Sequence, residues 1–213
     1  MFQLPPFLIA LAAAPLATPS SLVSQQIDYG SLHCPEDPTA TLVTPTYGAE
    51  GAIFTICSEL VLDNTGPLTA YNAILDFKSY PRWNSFIIDV ALPDNVTSTP
   101  DDIYVGMTMQ FTSNGLIGSL NTTSTEVISL LDPSGAEGYL INAWHYDDGI
   151  GGVGSRAEHP NVFVDLGNGS TRYLSYETYY AGLSTGTIAL LKLQLQHQWD
   201  IQVRDLKVYV ESL

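Results

Sequence analysis

The sequence predicts a single α+β domain in which a curved antiparallel sheet of about six to seven strands wraps one long C-terminal helix. Three observations lead to this prediction. The chain of 213 residues is 45% hydrophobic and 14% charged, so it has enough apolar surface to fold. Short segments of alternating polarity, separated by turn residues, follow one another between residues 52 and 180. After Thr187 the apolar residues recur with the period of a helix.

The first twenty residues have the pattern of a secretory signal peptide. An apolar run at residues 7–17 is followed by small residues and proline, as in a cleavage region, and the run is too short to span a membrane. The next segment contains two prolines and little periodicity, which indicates an irregular arm. We therefore expect a signal peptide at residues 1–20, an N-terminal arm at 21–49 and a folded, ligand-binding domain at 50–213.

Two cysteines, Cys34 and Cys57, are expected to form a disulfide, because a cysteine pair in an exported protein is usually bridged. Alternation in the first strand places Cys57 on its more polar face, together with Thr55 and Glu59, where an arm carrying Cys34 could reach it. The bridge would close a loop of about 22 residues, worth roughly 3 kcal/mol in chain entropy. Two unrelated buried thiols are the alternative.

The domain is predicted to run as one strand, two short helices, six further strands and the final helix. The motif Thr65-Gly66-Pro67 marks the start of the first short helix. The clearest strand is the third, residues 103–112, in which five apolar residues alternate with mostly polar ones. The predicted strands are 52–61, 86–92, 103–112, 122–131, 137–146, 155–166 and 171–180.

The last segment predicts a helix of about 25 residues, close to 38 Å long at 1.5 Å per residue. Its apolar residues are spaced by three or four positions, so they form one stripe that must pack against the sheet. The stripe consists of Ile188, Leu191, Leu195, Trp199, Val203, Leu206, Val210 and Leu213.

One stretch between the first and second strands carries a family resemblance. Residues 75–86 contain Tyr80, Pro81, Trp83 and Asn84 in a Tyr-Pro-x-Trp-Asn pattern, and this resembles the START-like, or SRPBCC, superfamily. That group includes polyketide cyclase/dehydrase-like proteins, coenzyme Q-binding proteins and the birch-pollen allergen class. The resemblance covers roughly residues 50–213 and implies a helix-grip fold. It also implies a cavity between sheet and helix that holds lipids, sterols, quinones, polyketides or hormones.

The charge and the sequons bear on partners and location. A net charge of -15 argues against nucleic acid and against an anionic membrane surface as partners. No segment is long and apolar enough for stable membrane insertion, and the oligomeric state stays open.

Export to the secretory pathway or the medium is expected from the leader and from three N-glycosylation sequons, which begin at Asn95, Asn121 and Asn168.

The candidate ligand-binding residues are those expected on the inner wall of a cavity. Alternation turns one face of the third predicted strand, residues 103–112, inward. The C-terminal stripe supplies the opposite wall, and aromatic side chains of two later strands could stack on a ligand. Core packing is the alternative role for the same side chains. The candidates are Met107, Met109, Phe111, Trp144, Tyr176, Leu195 and Trp199.

Two residues are catalytic candidates, Glu177 and His145. If Glu177 points inward, its carboxyl group has a raised pKa in an apolar cavity and can serve as acid or base, with Tyr139, Tyr176 or Tyr179 as possible donors. A solvated or paired Glu177 is the alternative. His145 would lie on the opposite face of its strand from Trp144, so a surface position is its alternative. No cofactor is expected, since the sequence has no phosphate-binding loop, nucleophile elbow or metal-ligand spacing.

Three functions fit these observations. The protein binds a hydrophobic small molecule, such as a lipid, a polyketide or a terpenoid-like compound, in a cavity between the sheet and the C-terminal helix. Alternatively, it is a cyclase, isomerase or dehydratase that uses an acid/base residue on a polyketide- or terpenoid-like intermediate there. A third hypothesis is an exported interaction protein whose core is filled. An open apolar cavity favours the first, and inward-facing acid/base groups favour the second.

Overall fold

The structure, a computed structural model, describes residues 27–147 and 154–213. The predicted signal peptide at residues 1–20 therefore lies outside the described residues. The predicted arm is described from Ile27 to residue 49, and the predicted domain is described except for residues 148–153.

Seven antiparallel strands form one curved sheet in the order β1-β7-β6-β5-β4-β3-β2, which confirms the predicted fold class. The two edge strands are thus the first two in the sequence, and the helices between them cross from one edge to the other. The strands are β1 (Ala52–Leu62), β2 (Ile87–Ala91), β3 (Thr108–Ile117), β4 (Leu120–Asp132), β5 (Tyr139–Asp147), β6 (Arg156–Asp165) and β7 (Thr171–Tyr180).

Strand β3 begins later than the sequence predicts. The segment 103–107 lies before the strand, and Gly106 within it adopts a left-handed φ of 87°. A backbone bond from Gly106 N to Ile128 O, 2.8 Å, still ties this segment to β4. The strand then continues to Ile117, beyond the predicted end at residue 112.

Two short helices follow β1, as predicted: α1 (Pro67–Leu75) and α2 (Tyr80–Trp83), with a single 3-10 turn between them. The Tyr-Pro-x-Trp-Asn residues hold this region to the sheet. The Tyr80 hydroxyl donates to Ile74 O at 2.7 Å from a fully buried position. The Asn84 Oδ1 accepts from the backbone N–H groups of Phe86 and Ile87, at 3.0 and 2.8 Å, where the chain turns into β2.

The C-terminal segment forms two helices, α3 (Thr185–Ala189) and α4 (Lys192–Val210), so the prediction of one unbroken helix from Thr187 is wrong. Leu191 has φ −95° and ψ 4°, outside helical values, although neither proline nor glycine is present there. The turn brings both Ile188 and Leu191 onto the concave side of the sheet. The 19 residues of α4 span about 28 Å at 1.5 Å each.

Helix α4 packs across the concave face of the sheet through the predicted apolar stripe. Its buried apolar members share one helical face at spacings of three and four residues, and the terminal Leu213 is exposed. The buried members are Leu195, Trp199, Val203, Leu206 and Val210.

The convex face of the sheet is covered as well, by the N-terminal arm. Arm residues pack on apolar side chains of β5, β6 and β7 and form a second, smaller core with them. The backbone of the arm is fixed by side chains of β7: the hydroxyl of Tyr176 donates to Val43 O at 2.6 Å, and that of Tyr180 donates to Gly48 O at 2.7 Å. The central strands are consequently buried on both faces.

Covalent and ionic contacts attach the arm at two further points. The predicted disulfide between Cys34 and Cys57 is confirmed and joins the arm to β1. Nearby, Arg172 donates to Leu32 O at 2.8 Å and to the Glu59 carboxylate at 2.9 Å. The disulfide and the Glu59 carboxylate lie on the convex face of the sheet, as the alternation around Cys57 predicts.

A buried carboxyl group anchors the middle of the arm. Glu158 is 0% exposed and accepts three hydrogen bonds: from the backbone N–H and the hydroxyl of Thr46, at 2.8 and 2.6 Å, and from the Ser129 hydroxyl at 2.7 Å. Such donors compensate the loss of water around a carboxylate. The arm therefore covers this carboxyl group and supplies two of its three donors, and the sheet supplies the third.

Replacing both cysteines, Cys34→Ser with Cys57→Ser, should lower the free energy of unfolding by about 3 kcal/mol, because the open chain gains loop entropy when it unfolds. Urea unfolding followed by circular dichroism measures the difference. Wild-type protein treated with dithiothreitol serves as the control and should match the double variant. Equal stability of the oxidised wild type and the double variant would contradict this role for the bridge.

Candidate functional site

A cavity of about 280 Å³ lies between the concave face of the sheet and the helices α3 and α4. Exposed residues of the β3–β4 hairpin, such as Ile117 and Thr123, line it at one end, whereas fully buried residues line it elsewhere. Its aromatic lining residues are Phe86, Phe111, Trp144, Tyr146, His159, Tyr179 and Trp199. Its aliphatic lining residues are Ile87, Leu116, Ile117, Ile188, Leu191 and Leu195.

Strand alternation determines which polar groups reach the cavity. On β4, Ser124 and Glu126 share the concave face, and on β7 Glu177 and Tyr179 do so. Strands β4 and β7 are separated by β5 and β6 in the sheet. Curvature of the sheet brings their side chains to the same cavity.

The two cavity carboxyl groups differ in their partners. Glu177 Oε2 accepts a hydrogen bond of 2.6 Å from the Tyr179 hydroxyl. Glu126 is 5% exposed, and its Oε2 has no hydrogen-bond partner. Burial raises the pKa of Glu126 to about 7. Burial, and then the charge of Glu126, raise the pKa of Glu177 to about 8.

A histidine is enclosed between two tryptophans beside these groups. The ring of His159 lies 4.4 Å from that of Trp144 and 4.3 Å from that of Trp199, centroid to centroid. The Ser175 hydroxyl lies 2.9 Å from His159 Nε2 and accepts the Trp199 indole N–H at 3.1 Å. Burial lowers the pKa of His159 to about 3, so the ring is neutral, and its Nε2 shares a hydrogen bond with the Ser175 hydroxyl.

The structure brings five of the nine predicted site residues to this cavity and places the other four elsewhere. Met107 and Met109 are buried in the core without lining the cavity. Tyr176 and His145 lie on the convex face, where Tyr176 bonds the arm and His145 packs 5.7 Å from the ring of Tyr47. The five that line the cavity are Phe111, Trp144, Glu177, Leu195 and Trp199.

Sequence reasoning missed Glu126 and His159. Glu126 shares its strand face with Ile128, which is a weak signal of an inward carboxyl group. A register shift between Ile128 and Leu130 breaks the alternation two residues later and hides that signal. His159 lies next to Pro160 in a strand buried on both faces, so no polarity pattern identifies its direction.

The described ranges, 27–147 and 154–213, contain neither a candidate metal site nor a candidate membrane span. No group of three or more histidine, cysteine, aspartate or glutamate side chains is arranged to hold a metal ion there. None of the helices in those ranges has the length and hydropathy needed to cross a membrane.

Comparison with known proteins identifies the fold. No protein-family model matches the chain, and no curated protein matches it. Among solved structures, a hypothetical protein from Helicobacter pylori superposes with a TM-score of 0.59 at 12% identity, covering 81% of this chain and 98% of its own.

Two further structures carry descriptive names. A START superfamily protein from Mycobacterium smegmatis has a TM-score of 0.54 at 15% identity, covering 74% of this chain and 97% of its own. The Zhui aromatase/cyclase from Streptomyces has a TM-score of 0.53 at 8% identity, covering 74% of this chain and 93% of its own. These similarities and the sheet topology show that the protein has the START-like fold.

Proposed function

We propose that the protein binds a compact hydrophobic small molecule, such as a lipid, a polyketide or a terpenoid-like compound, in the cavity between the sheet and α4. The observation that carries this proposal is the cavity of about 280 Å³, whose walls are mainly aromatic and aliphatic. Small-molecule sites start near 300 Å³. This volume supports a ligand of a few fused rings better than a lipid with two long chains.

The structural neighbours support the same class of function. START-like proteins typically hold hydrophobic molecules between the sheet and the long helix, and one neighbour is an aromatase/cyclase. Because fold alone does not fix function, the proposal depends on the cavity of this chain. The third hypothesis, a filled core, is disfavoured by the same open volume.

A second candidate function is a cyclase or isomerase that works on a ligand in this cavity. The observation that favours it is the inward position of Glu177, bonded to Tyr179 and near Glu126. Carboxyl groups with a pKa near neutrality can both donate and accept a proton at working pH. His145 is on the other face of the sheet, so Glu177 and Glu126 would carry the acid/base chemistry.

The protein is also proposed to be exported and N-glycosylated. The disulfide supports an oxidising compartment. The acceptor asparagines of the three sequons, Asn95, Asn121 and Asn168, are exposed, as glycan attachment requires.

Leu191→Trp should abolish ligand binding, because Leu191 lines the cavity and an indole there occupies the space of the ligand. The matched control is Leu193→Trp, two residues later, where the side chain is 87% exposed. Organic extracts of each purified protein are examined by mass spectrometry, and 2-(naphthalen-2-yl)ethanol is titrated calorimetrically as a neutral apolar probe.

Wild type and Leu193→Trp should carry a bound apolar molecule and bind the probe, whereas Leu191→Trp should lose the molecule and weaken probe binding about tenfold or more. Folding of both variants is verified by thermal unfolding. Empty wild-type protein that also ignores the probe would overturn the proposed function.

Stability should fall between pH 6.5 and 8. In this window the folded protein retains protons on Glu126 (pKa about 7) and Glu177 (pKa about 8), while an unfolded glutamate with pKa 4.5 has released them. The folded state thus binds more protons, and its free energy of unfolding decreases with pH, by about 2 kcal/mol over the window. His159 acts in the opposite sense only below pH 6.5, since its folded pKa is about 3.

The double variant Glu126→Gln with Glu177→Gln has no such protons to lose. Its free energy of unfolding should therefore change less with pH across the window and should exceed that of wild type at pH 8. Glu137→Gln, which removes an exposed carboxyl group, should keep the wild-type slope. Urea unfolding at a series of pH values provides the free energies. Parallel curves for all three proteins would contradict protonated carboxyl groups in the cavity.

Expression with the native leader in a secreting yeast host should release the protein into the medium with glycans attached. Treatment with an N-glycosidase should increase its electrophoretic mobility, and Asn→Gln variants at positions 95, 121 and 168 should reduce that shift stepwise. Retention inside the cell with two free thiols would count against export.

A further inference from the structure

The cavity contains two carboxyl groups that no basic side chain neutralises. Glu126 and Glu177 are 5% and 8% exposed, and both line the cavity. The chain has seven lysine and arginine residues in all, every one within the described ranges, and none of them lines the cavity. His159 does line it but is uncharged, since burial lowers its pKa to about 3. Ionised carboxyl groups here would lack a counter-charge from the protein.

One carboxyl oxygen of these two residues has no hydrogen-bond partner. Glu177 Oε2 is already engaged by the Tyr179 hydroxyl at 2.6 Å. In contrast, Glu126 Oε2 is buried, has no hydrogen-bond partner and belongs to a residue that lines the cavity. A buried acceptor without a partner is costly in a folded protein. A donor brought by a bound molecule would satisfy it.

The remaining walls suit an organic cation. The lining includes the faces or edges of two tryptophans, two phenylalanines and two tyrosines, and aromatic rings attract cations most strongly when water is excluded. Apolar residues of α3, of α4 and of the turn between them cover the opposite side. They are Ile188, Leu191, Leu195 and Trp199.

We propose that the ligand of this cavity is a hydrophobic amine, whose protonated nitrogen lies between Glu126 and Glu177 while its apolar body packs against Trp144 and Trp199. This inference rests on the proposed function and adds the chemical class of the ligand. The ammonium group supplies the missing counter-charge and a donor for Glu126 Oε2. A neutral ligand of the same shape supplies neither the charge nor an ammonium donor.

Proton release should accompany binding of the amine. Below pH 7 the carboxyl groups hold protons, and an ammonium ion favours their ionised form, so a proton leaves as the ligand enters. The titratable groups that face them are Tyr146 on β5, His159 on β6 and Tyr179 on β7. The helices contribute no charged group to the cavity. Affinity should rise by up to about tenfold per pH unit between pH 6 and 7 and level off above 8.

The experiment compares two probes that differ in one functional group, 2-(naphthalen-2-yl)ethylamine and 2-(naphthalen-2-yl)ethanol. Isothermal titration calorimetry at pH 6, 7 and 8, in buffers of different ionisation enthalpy, measures both the dissociation constant and the protons released. At pH 8 the amine should bind wild-type protein about tenfold or more tightly than the alcohol. The alcohol should bind without proton release and with little pH dependence.

Variants connect the preference to the two carboxyl groups. Glu126→Gln with Glu177→Gln should remove the preference for the amine and keep binding of the alcohol, because glutamine has the shape of a protonated glutamate. Glu137→Gln, which removes one carboxyl group at an exposed site, should keep the preference. Thermal unfolding confirms that each variant is folded.

The outcomes separate this inference from the proposed function. Equal affinities for amine and alcohol in wild-type protein, or a preference that survives in the double variant, would overturn the amine as ligand and leave hydrophobic binding in place. Failure of both probes to bind would overturn the amine as ligand and the proposed hydrophobic binding alike.

Discussion

The central strands of the sheet are buried on both faces, and the rest of the structure depends on this constraint. A sheet covered only by α4 would expose Ile141, Val162 and Leu174 on its convex side. The N-terminal arm covers them, and the disulfide, Arg172 and Glu158 hold the arm in place. The cavity on the concave side therefore lies on a sheet whose convex side is covered by a separate segment.

The same constraint decides how much the sequence could predict. Helix α4 has one solvated face, so its period is visible in the residues from Leu195 to Val210, and the prediction of its packing face is confirmed. Strands β5 and β7 are buried on both faces over most of their length, so the side chains on their two faces do not differ consistently in polarity. The direction of Trp144, His145, Tyr176 and Glu177 could not be assigned from such a pattern.

The polar part of the site is a product of tertiary structure. Glu126 and Glu177 are 51 residues apart in the sequence and lie on strands that are not neighbours in the sheet. Only the curvature of the sheet makes them line one cavity, and neither residue has a motif around it. The Tyr-Pro-x-Trp-Asn stretch was visible in the sequence because its role is local: Tyr80 and Asn84 bond to backbone groups within six residues. A local sequence motif was thus enough to predict the fold, whereas the pairing of the two carboxyl groups is visible only in the folded sheet.

The positions of the tryptophans have a spectroscopic consequence. The chain has three: Trp144 and Trp199 line the cavity on either side of His159, whereas Trp83 is stacked on Tyr209 with ring centroids 5.7 Å apart. Two indoles therefore report on the polarity of the cavity, and the third serves as an internal reference outside it. Displacement of water by an apolar occupant would shift the emission of the first two to shorter wavelength. The protein thus carries its own fluorescent sensor of occupancy, with no label to disturb the site.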